Sequence, residues 1–218
     1  MPITEIKFYR TNEPFGCFSN FSKHPLTVDG ETWPTAEHFF QASKFQTEED
    51  RSDILHASNA ADAARIGRER SRPLRSDWEV VKDDVMRRAV LLKVEQHSDV
   101  KEAMLWTGSA ILIEHTANDH YWADGGDGSG ANMLGRILMD TRTLLFKGDH
   151  ALSLSRLLLP PWEKHPELDR YSMGWRMGYG EDYIHTWGDW FLGLSELQRA
   201  RYCMLFPASG EWSGYYDE

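Results

Sequence analysis

A glycine- and aspartate-rich segment, residues 114–132, restricts how this chain folds. It contains four glycines, which favour turns over regular structure. A short apolar run at 110–113 precedes it and predicts a buried strand, and the pattern after it predicts a helix from about 133 to 146. The sequence therefore predicts an irregular loop held between a strand and a helix.

Short strands are expected before the first helix. Residues 6–10 have a β-favouring centre, and Asp29-Gly30 between Val28 and Trp33 is typical of a tight hairpin turn. Thr35 is a candidate N-cap for a helix over residues 36–45.

A long amphipathic helix follows further along the chain. Ser76 and Glu79 have the spacing of a capping box, in which each side chain bonds the backbone of the other. The apolar positions after them recur at helical intervals and predict a buried face: Trp78, Val81, Val85, Ala89 and Leu92.

The chain changes character beyond Lys147, where Pro160-Pro161 and a Trp-, Tyr- and Met-rich stretch follow. We therefore predict one domain at 6–148 and an extension at 149–218. Ser195 and Gln198 suggest a capped helix in the extension. Its apolar stripe, Trp187, Trp190 and Phe191, is expected to pack against the domain or a partner subunit.

Composition excludes several classes of protein. The net charge is −10 and the pI is near 5.4, which argues against a broad electrostatic grip on nucleic acid. Cys17 and Cys203 are too few and too far apart for a disulfide framework or a structural zinc site. The sequence shows no signal-peptide pattern and no bilayer-spanning run, so we expect a cytoplasmic protein.

Glu37, Gln41 and Lys44 form the first candidate constellation. Their spacing of i, i+4 and i+7 aligns a carboxylate, an amide and an amine along one helical face. Many surface helices have such a face, but the aromatic residues around this one could form a dry, stacking pocket: Trp33, Phe39, Phe40 and Phe45.

The loop at 114–132 is the second constellation. Its glycines would let backbone N–H groups approach a ligand, and it leads into a helix N-terminus, where phosphate is favoured. A calcium loop is the alternative, but Gly126 stands where a ligand is required and the terminal Glu is absent. His115 and His120 lack zinc spacing. We therefore expect no metal and no cofactor.

Arginines form the third constellation. Any of them could present a guanidinium to a phosphate, and pairing with nearby acids is equally compatible with the sequence. The members are Arg65, Arg68, Arg70, Arg72 and Arg75.

Taken together, these segments resemble the NADAR (YbiA-like) family across almost all of residues 6–148. The resemblance is carried by FY at 8–9, FSNF at 18–21, WPTAEHFFQASKF at 33–45, GR at 67–68 and the spaced motif within YWADGGDGSGANMLG at 121–135. It implies an α+β fold, mainly helical with a few short strands, followed here by a helical extension. It also implies an N-glycosidase activity on a base attached to C1 of a phosphorylated ribose.

The resemblance further suggests roles for individual residues. Glu37 matches the key glutamate of the family, and a carboxylate beside C1 can stabilise an oxocarbenium-like sugar. Lys44 either attacks C1 as a neutral amine or clamps phosphate or ribose. The remaining expected substrate contacts are Asn20 and Phe21 for the base, Trp33, Gln41 and Trp122 for the pocket wall, Arg68 for phosphate, and Asp119, Asp124 and Gly125 around the ribose.

Three functions are consistent with these features. The first is hydrolysis of ribosylaminopyrimidine phosphates, which are intermediates of riboflavin synthesis. The second is removal of ADP-ribose from guanine in DNA, which requires a local basic groove for a single-stranded or flipped nucleotide. The third is a non-catalytic ADP-ribose or nucleotide reader. In none of these do we expect a membrane partner.

Overall fold

The computed structural model describes residues 4–146 and 158–217. The chain divides into two compact units, Met1–Phe146 and Lys147–Glu218, each with its own internal packing. Among the described residues, no helix is both long enough and apolar enough to cross a bilayer.

The first unit combines six helices with four short strands among its described residues, so the predicted α+β class is confirmed. The strands are β1 (Glu5–Phe8), β2 (Leu26–Val28), β3 (Glu31–Trp33) and β4 (Ile111–Glu114). The helices are α1 (Ala36–Ala42), α2 (Glu48–Leu55), α3 (Ala60–Ile66), α4 (Trp78–Gln96), α5 (Ser98–Trp106) and α6 (Met133–Phe146).

The strands form two separate pairs. β1 pairs with β4 in parallel, with Phe8 opposite Glu114, although the two strands are far apart in sequence. β2 and β3 form the predicted hairpin, and Asp29 and Gly30 at its turn have φ of 53° and 87°. Positive φ at both central residues matches the right-handed twist of the strands, so the Asp-Gly signal is confirmed.

The core lies where α4 and α6 pack with the β1–β4 pair. The predicted apolar face of α4 is buried or packs against this core. The predicted capping box is wrong, because the N-cap of α4 is Asp77 and its side chain makes no capping hydrogen bond. The helix therefore forms without that cap, and burial of its apolar face stabilises it.

Helix α1 begins where the sequence predicts. The Thr35 side chain accepts a hydrogen bond from the His38 backbone N–H, as an N-cap does. The helix ends at Ala42, earlier than predicted, and a tight turn continues it, with the Lys44 N–H donating to the Gln41 carbonyl. Lys44 therefore lies one turn beyond Gln41, outside the helix.

The loop between β4 and α6 is fastened to the strand by Asn132. The Asn132 Oδ1 accepts from the Glu114 N–H at 3.0 Å, and its Nδ2 donates to the Leu112 carbonyl at 2.9 Å. Asn132 takes a φ of 50° to do so. At Gly135, any Cβ would overlap the Leu112 carbonyl oxygen. A glycine is required there because the helix passes against the strand backbone.

The amides of this loop are used inside the loop. The N–H groups of Gly125, Gly128 and Gly130 donate to carbonyls of residues 119 and 124, and that of Gly126 donates to the Asp124 carboxylate. The first N–H groups of α6, on Met133 and Leu134, donate to carbonyls of residues 121 and 122. The expected approach of these amides to a phosphate is therefore wrong, since each already has a partner.

The second unit contains α7 (Pro161–Lys164), α8 (Tyr179–Leu192) and α9 (Glu196–Leu205). The capping box of Ser195 and Gln198 is confirmed at the start of α9. Trp187 stacks on Phe191 with ring centroids 4.9 Å apart, and the Trp187 Nε1–H donates to the Tyr202 hydroxyl. The aromatic stripe of α8 thus has partners within its own unit, while its packing on a further surface stays a prediction.

Candidate active site

Glu37 faces a cavity of about 400 Å³ in the first unit. Five parts of the fold supply its walls: the segment after β1, α1 with the turn after it, the segment after α3, α4, and the end of β4 with the loop that follows it. The lining residues are Tyr9, Asn20, Phe21, Glu37, Phe40, Gln41, Lys44, Arg68, Met86, Glu114, Thr116, Asn118, Asp119 and Trp122. The first helix and the glycine-rich loop, far apart in sequence, therefore share one cavity.

Glu37 is held in the first turn of α1. Its backbone N–H donates to the Asn20 carbonyl at 3.0 Å, and its carboxylate accepts from Gln41 Nε2 at 2.7 Å. The residue is only 6 % exposed. Burial raises the pKa of the Glu37 carboxyl, against the opposing effects of the Gln41 hydrogen bond and the positive charges of Lys44 and Arg68. Burial thus opposes the helix N-terminus, which favours the ionised form.

Two amide oxygens of the cavity residues are buried without a hydrogen-bond partner among the described residues: Asn20 Oδ1 and Gln41 Oε1. The opposite ends of these side chains are engaged, since Asn20 Nδ2 contacts the Met86 sulfur at 3.2 Å and Gln41 Nε2 bonds Glu37. An unpaired buried acceptor costs about 1–3 kcal/mol. Both oxygens are thus ready to accept hydrogen bonds from a ligand.

Lys44 and Arg68 place two cations in the cavity. Lys44 Nζ donates to the Gly67 carbonyl at 3.2 Å and lies 5.7 Å from the centroid of the Phe40 ring. Burial lowers the pKa of the Lys44 amine, and Arg68 lowers it further, whereas Glu37 raises it. The guanidinium of Arg68 makes no ion pair or hydrogen bond with the part of the chain that the structure describes.

Other arginines of the predicted cluster pair with acids. Arg72 forms salt bridges with Asp50, Asp53 and Glu69. Arg65 pairs with Asp62 and Glu69, and Arg75 pairs with Asp77. Pairing with acids therefore applies to these three members. Arg68 is the member that lines the cavity, and its contact with a phosphate stays a prediction.

Aromatic rings form one side of the cavity. Phe40 contacts Trp122 edge-to-face at 5.3 Å between centroids and Trp78 at 5.1 Å. Phe21, the last residue of the FSNF motif, also lines the cavity and is 39 % exposed. A large apolar ring left this exposed beside a cavity offers a stacking surface for a planar group.

Three residues expected at the site do not line this cavity: Trp33, Asp124 and Gly125. Trp33 is 1 % exposed and packs against Phe39, with the Arg51 guanidinium 5.5 Å from its ring centroid. Asp124 shapes the loop through hydrogen bonds to His115 and the Gly126 N–H. Gly125 has a φ of 73°, and a Cβ there would overlap the His120 ring. These three residues therefore stabilise the segments next to the cavity and do not line it.

Phe40 was among the aromatic residues expected around the pocket, but several other lining residues were not predicted individually from the sequence: Tyr9, Met86, Glu114, Thr116 and Asn118. Glu114 is the most notable because burial, with the charges of Asp119 and Glu37, raises its carboxyl pKa to about 8. Lys93 Nζ, buried nearby, lowers that pKa and donates to the Ser19 carbonyl. Glu114 ends β4 immediately before the loop, a position where functional residues are often found.

Asp119 lines the cavity, and hydrogen bonds within its own loop hold its side chain. Its Oδ1 accepts from the Tyr121 and Trp122 N–H groups at 2.8 and 2.7 Å, and its carboxylate raises the pKa values of both Glu37 and Glu114. The cavity therefore holds three carboxyl groups and two cations. Such a concentration of titratable groups in one hollow is typical of active sites.

Comparison with known proteins identifies the family. The model of the NADAR domain matches residues 7–146. The chain belongs to the NADAR family. N-glycosidase YbiA of Escherichia coli is 52 % identical over 145 residues, which is 66 % of this chain and 91 % of YbiA. The NMR structure of YbiA superposes with a TM-score of 0.64 and 49 % identity, covering 71 % of this chain and 93 % of that chain.

A riboflavin biosynthesis protein of Vibrio vulnificus is a further relative. It is 42 % identical over 137 residues, covering 63 % of this chain but 37 % of the longer Vibrio protein. The NADAR domain of this chain is accordingly a hydrolase that acts on N-glycosyl compounds, and its substrate is a small glycosyl molecule.

Replacing Gly67 by Ala tests the support of the Glu37 carboxyl group. The new Cβ would overlap the Gln41 side chain, whose amide bonds Glu37. Loss of a hydrogen bond to a charged group corresponds to a fall of about 10- to 100-fold in kcat/KM. The control is Gly188→Ala in α8, where a Cβ meets nothing. Equal activity of Gly67→Ala and the wild type would contradict this role.

Replacing Glu114 by Gln tests the burial of the second carboxyl. The pKa is about 8 in the folded protein and 4.5 ordinarily, so the folded state keeps the proton more tightly. This contribution to stability is complete below pH 4.5 and is lost as the pH rises to about 8. Relative to the wild type, Glu114→Gln should therefore gain on the order of 4 kcal/mol in unfolding free energy between pH 5 and 8.5.

Urea unfolding across that pH range measures the difference. Glu5→Gln, at an exposed position of β1, is the matched control and should show no such trend. A constant difference between Glu114→Gln and the wild type at all pH values would show that the carboxyl of Glu114 is not held in its protonated form.

Proposed function

We propose that the NADAR domain hydrolyses the bond between a base nitrogen and C1 of a phosphorylated ribose, and that ribosylaminopyrimidine phosphates are its substrates. The observation that carries the proposal is one cavity of about 400 Å³ in which a buried glutamate lies with two cations. The name of the Vibrio relative, a riboflavin biosynthesis protein, supports the substrate class. The cytoplasmic location expected from the sequence stays a prediction.

The size and charge of the cavity suit a ribose phosphate. Lys44 and Arg68 offer an ammonium and an unpaired guanidinium, the groups that proteins use to bind phosphate. The unpaired oxygens of Asn20 and Gln41 and the carboxylate of Asp119 accept hydrogen bonds, as ribose hydroxyls and base amines require. A net charge of −10 over the chain disfavours a long nucleic acid as the substrate.

Glu37 is the proposed catalytic carboxyl group. As the C1–N bond breaks, positive charge develops on the sugar, and a carboxylate next to C1 stabilises it electrostatically. The same carboxylate can take a proton from the water that attacks C1, because a raised pKa makes it a better base at neutral pH. The products are the free base and the ribose phosphate.

Lys44 is proposed to clamp the phosphate. Its neighbour Arg68 lies in the same cavity, and two adjacent cations match the charge of a phosphate better than that of a neutral sugar carbon. Covalent attack would require the neutral amine, which burial favours but the charge of Glu37 opposes. The clamp therefore fits the arrangement of charges around Lys44 without requiring a change in its protonation.

Replacing Glu37 by Gln should lower kcat by at least about 1000-fold, because an amide neither stabilises the cationic sugar nor accepts a proton. The assay follows base release by chromatography from the aminouracil ribotide and, separately, from ADP-ribosylated guanosine. Release from the ribotide supports the proposal, whereas release from ADP-ribosylated guanosine alone assigns the second activity. Binding without release by the wild type would identify a reader, and unchanged rates in Glu37→Gln would remove Glu37 from the mechanism.

Replacing Lys44 by Met should raise KM for the phosphorylated substrate by about 10-fold or more, since it removes a charge-assisted contact to phosphate. Turnover of the corresponding unphosphorylated riboside should change little, which separates the clamp from a role in the chemistry. Borohydride added during turnover should leave the mass of the wild-type protein unchanged. A sugar adduct on Lys44 would instead establish covalent catalysis.

A further inference from the structure

A second cavity adjoins the active site. It has a volume of about 780 Å³, nearly twice that of the cavity around Glu37, and lies within the same unit. Tyr9, Phe21 and Glu114 line both cavities and therefore form the boundary between them. No motif in the sequence predicts this second hollow, because the segments that line it come from separate parts of the chain.

The positions of the cations orient a substrate relative to this boundary. Lys44 and Arg68 line the cavity around Glu37 but not the larger one, whose own cations, Arg10 and Lys23, are at exposed positions. In a ribose 5-phosphate unit, the phosphate on C5 and the base on C1 leave the sugar ring in different directions. With the phosphate at Lys44 and Arg68 and C1 beside Glu37, the base points towards the boundary residues and the larger cavity.

The walls of the larger cavity suit a planar heterocycle with polar edges. Tyr9 and Phe21 at the boundary are 42 % and 39 % exposed, so both rings have free surface for stacking. The side chains of Thr11 and Asn12 add hydrogen-bonding groups to the lining. Apolar rings combined with a few polar groups are typical of sites that bind small organic molecules.

Glu114 is the ionisable group at the boundary. Its carboxyl makes no hydrogen bond or salt bridge within residues 4–146 or 158–217, so it is available to a ligand. Asp119 and Glu37 raise its pKa and Lys93 lowers it, with burial as the largest cause of a value of about 8. Arg10, Lys23 and His38 line the larger cavity beside it, and Lys44 and Arg68 line the smaller one.

We infer that the larger cavity receives the leaving base and that Glu114 donates a proton to the base nitrogen as its bond to C1 breaks. This inference rests on the proposed function and assigns the second acid of the same site. The electron pair of the C1–N bond goes to the nitrogen, which takes the proton of Glu114. Water forms the new C1–O bond and gives its proton to Glu37. Exchange with solvent then restores both carboxyl groups.

The test of Glu114 compares two leaving groups in the full-length protein. One substrate is the aminouracil ribotide, and the other is p-nitrophenyl ribofuranoside 5-phosphate, whose leaving group departs as a stable anion without a proton. Glu114→Gln should lose about 100-fold or more in kcat on the ribotide. On the p-nitrophenyl substrate it should stay within about threefold of the wild type, since no proton is required. Glu37→Gln should lose activity on both.

Equal losses of Glu114→Gln on the two substrates would overturn the assignment as proton donor and show a structural role. An unchanged rate on both would remove Glu114 from the reaction. If the wild type releases base or nitrophenol from neither substrate, the proposed function fails, and this inference fails with it. If the wild type turns over the substrates but Glu114→Gln shows equal losses or unchanged rates on both, the role of Glu114 is overturned and the proposed function stands.

The base subsite is tested by filling it. Ala61 lines the larger cavity only, at an exposed position in the first turn of α3. Ala61→Trp should raise the inhibition constant of the free aminouracil base by about 10-fold or more and leave that of ribose 5-phosphate unchanged. Val80→Trp, at an exposed position of α4 that lines neither cavity, is the control. An unchanged constant for the base in Ala61→Trp would overturn the subsite.

Discussion

The burial of the Glu37 carboxyl group is the constraint on which the rest of the site depends. A carboxylate taken out of water loses its hydration, and this loss must be offset by hydrogen bonds and opposite charges nearby. The structure supplies a hydrogen bond from Gln41 and the positive charges of Lys44 and Arg68. The balance still raises the pKa of Glu37, because burial outweighs the hydrogen bond and the two positive charges.

The scaffold around this carboxyl is built from contacts that are distant in sequence. The Asn20 carbonyl accepts from the Glu37 N–H, and Lys93 ties down the adjacent segment through the Ser19 carbonyl and the Ser22 hydroxyl. Asn132 fastens the loop after β4 to that strand. These bonds satisfy buried polar groups and fix the walls of the cavity relative to α1. The hydrolytic site is thus held rigidly by the core of the first unit.

In the proposed mechanism, two adjoining cavities divide the recognition of the glycosyl substrate. The smaller one contains Lys44, Arg68 and the buried acceptors, which suit a sugar phosphate. The larger one has aromatic and polar side chains, which suit a base, together with the exposed Arg10 and Lys23. Glu37 lines the smaller cavity and Glu114 lies at the boundary. Cleavage of an N-glycosidic bond needs stabilisation of the sugar and protonation of the base, and two carboxyls with different surroundings can provide one function each.

Local sequence signals determined much of the fold. The Asp29-Gly30 hairpin, the Thr35 cap, the apolar face of α4 and the bounds of α6 all follow from turn chemistry or periodicity, which act between neighbouring residues. Ser76 and Glu79 did not form their capping box, because α4 begins at Trp78 with Asp77, rather than Ser76, at the N-cap. The family and the N-glycosidase activity also followed from motifs in the sequence.

Tertiary structure decided which of the motif residues meet. The sequence by itself placed Glu37, Gln41 and Lys44 on one face of the predicted helix. Trp33 and Asp124 belong to equally clear motifs, but their side chains stabilise the fold and do not line the cavity. Glu114 was predicted only as the first residue of the loop at 114–132, because its burial and its raised pKa depend on the parallel pairing of β4 with β1 and on Asp119 and Lys93 nearby. Residue types and local spacing fix helices and turns, whereas burial and electrostatic coupling arise only after distant segments pack together.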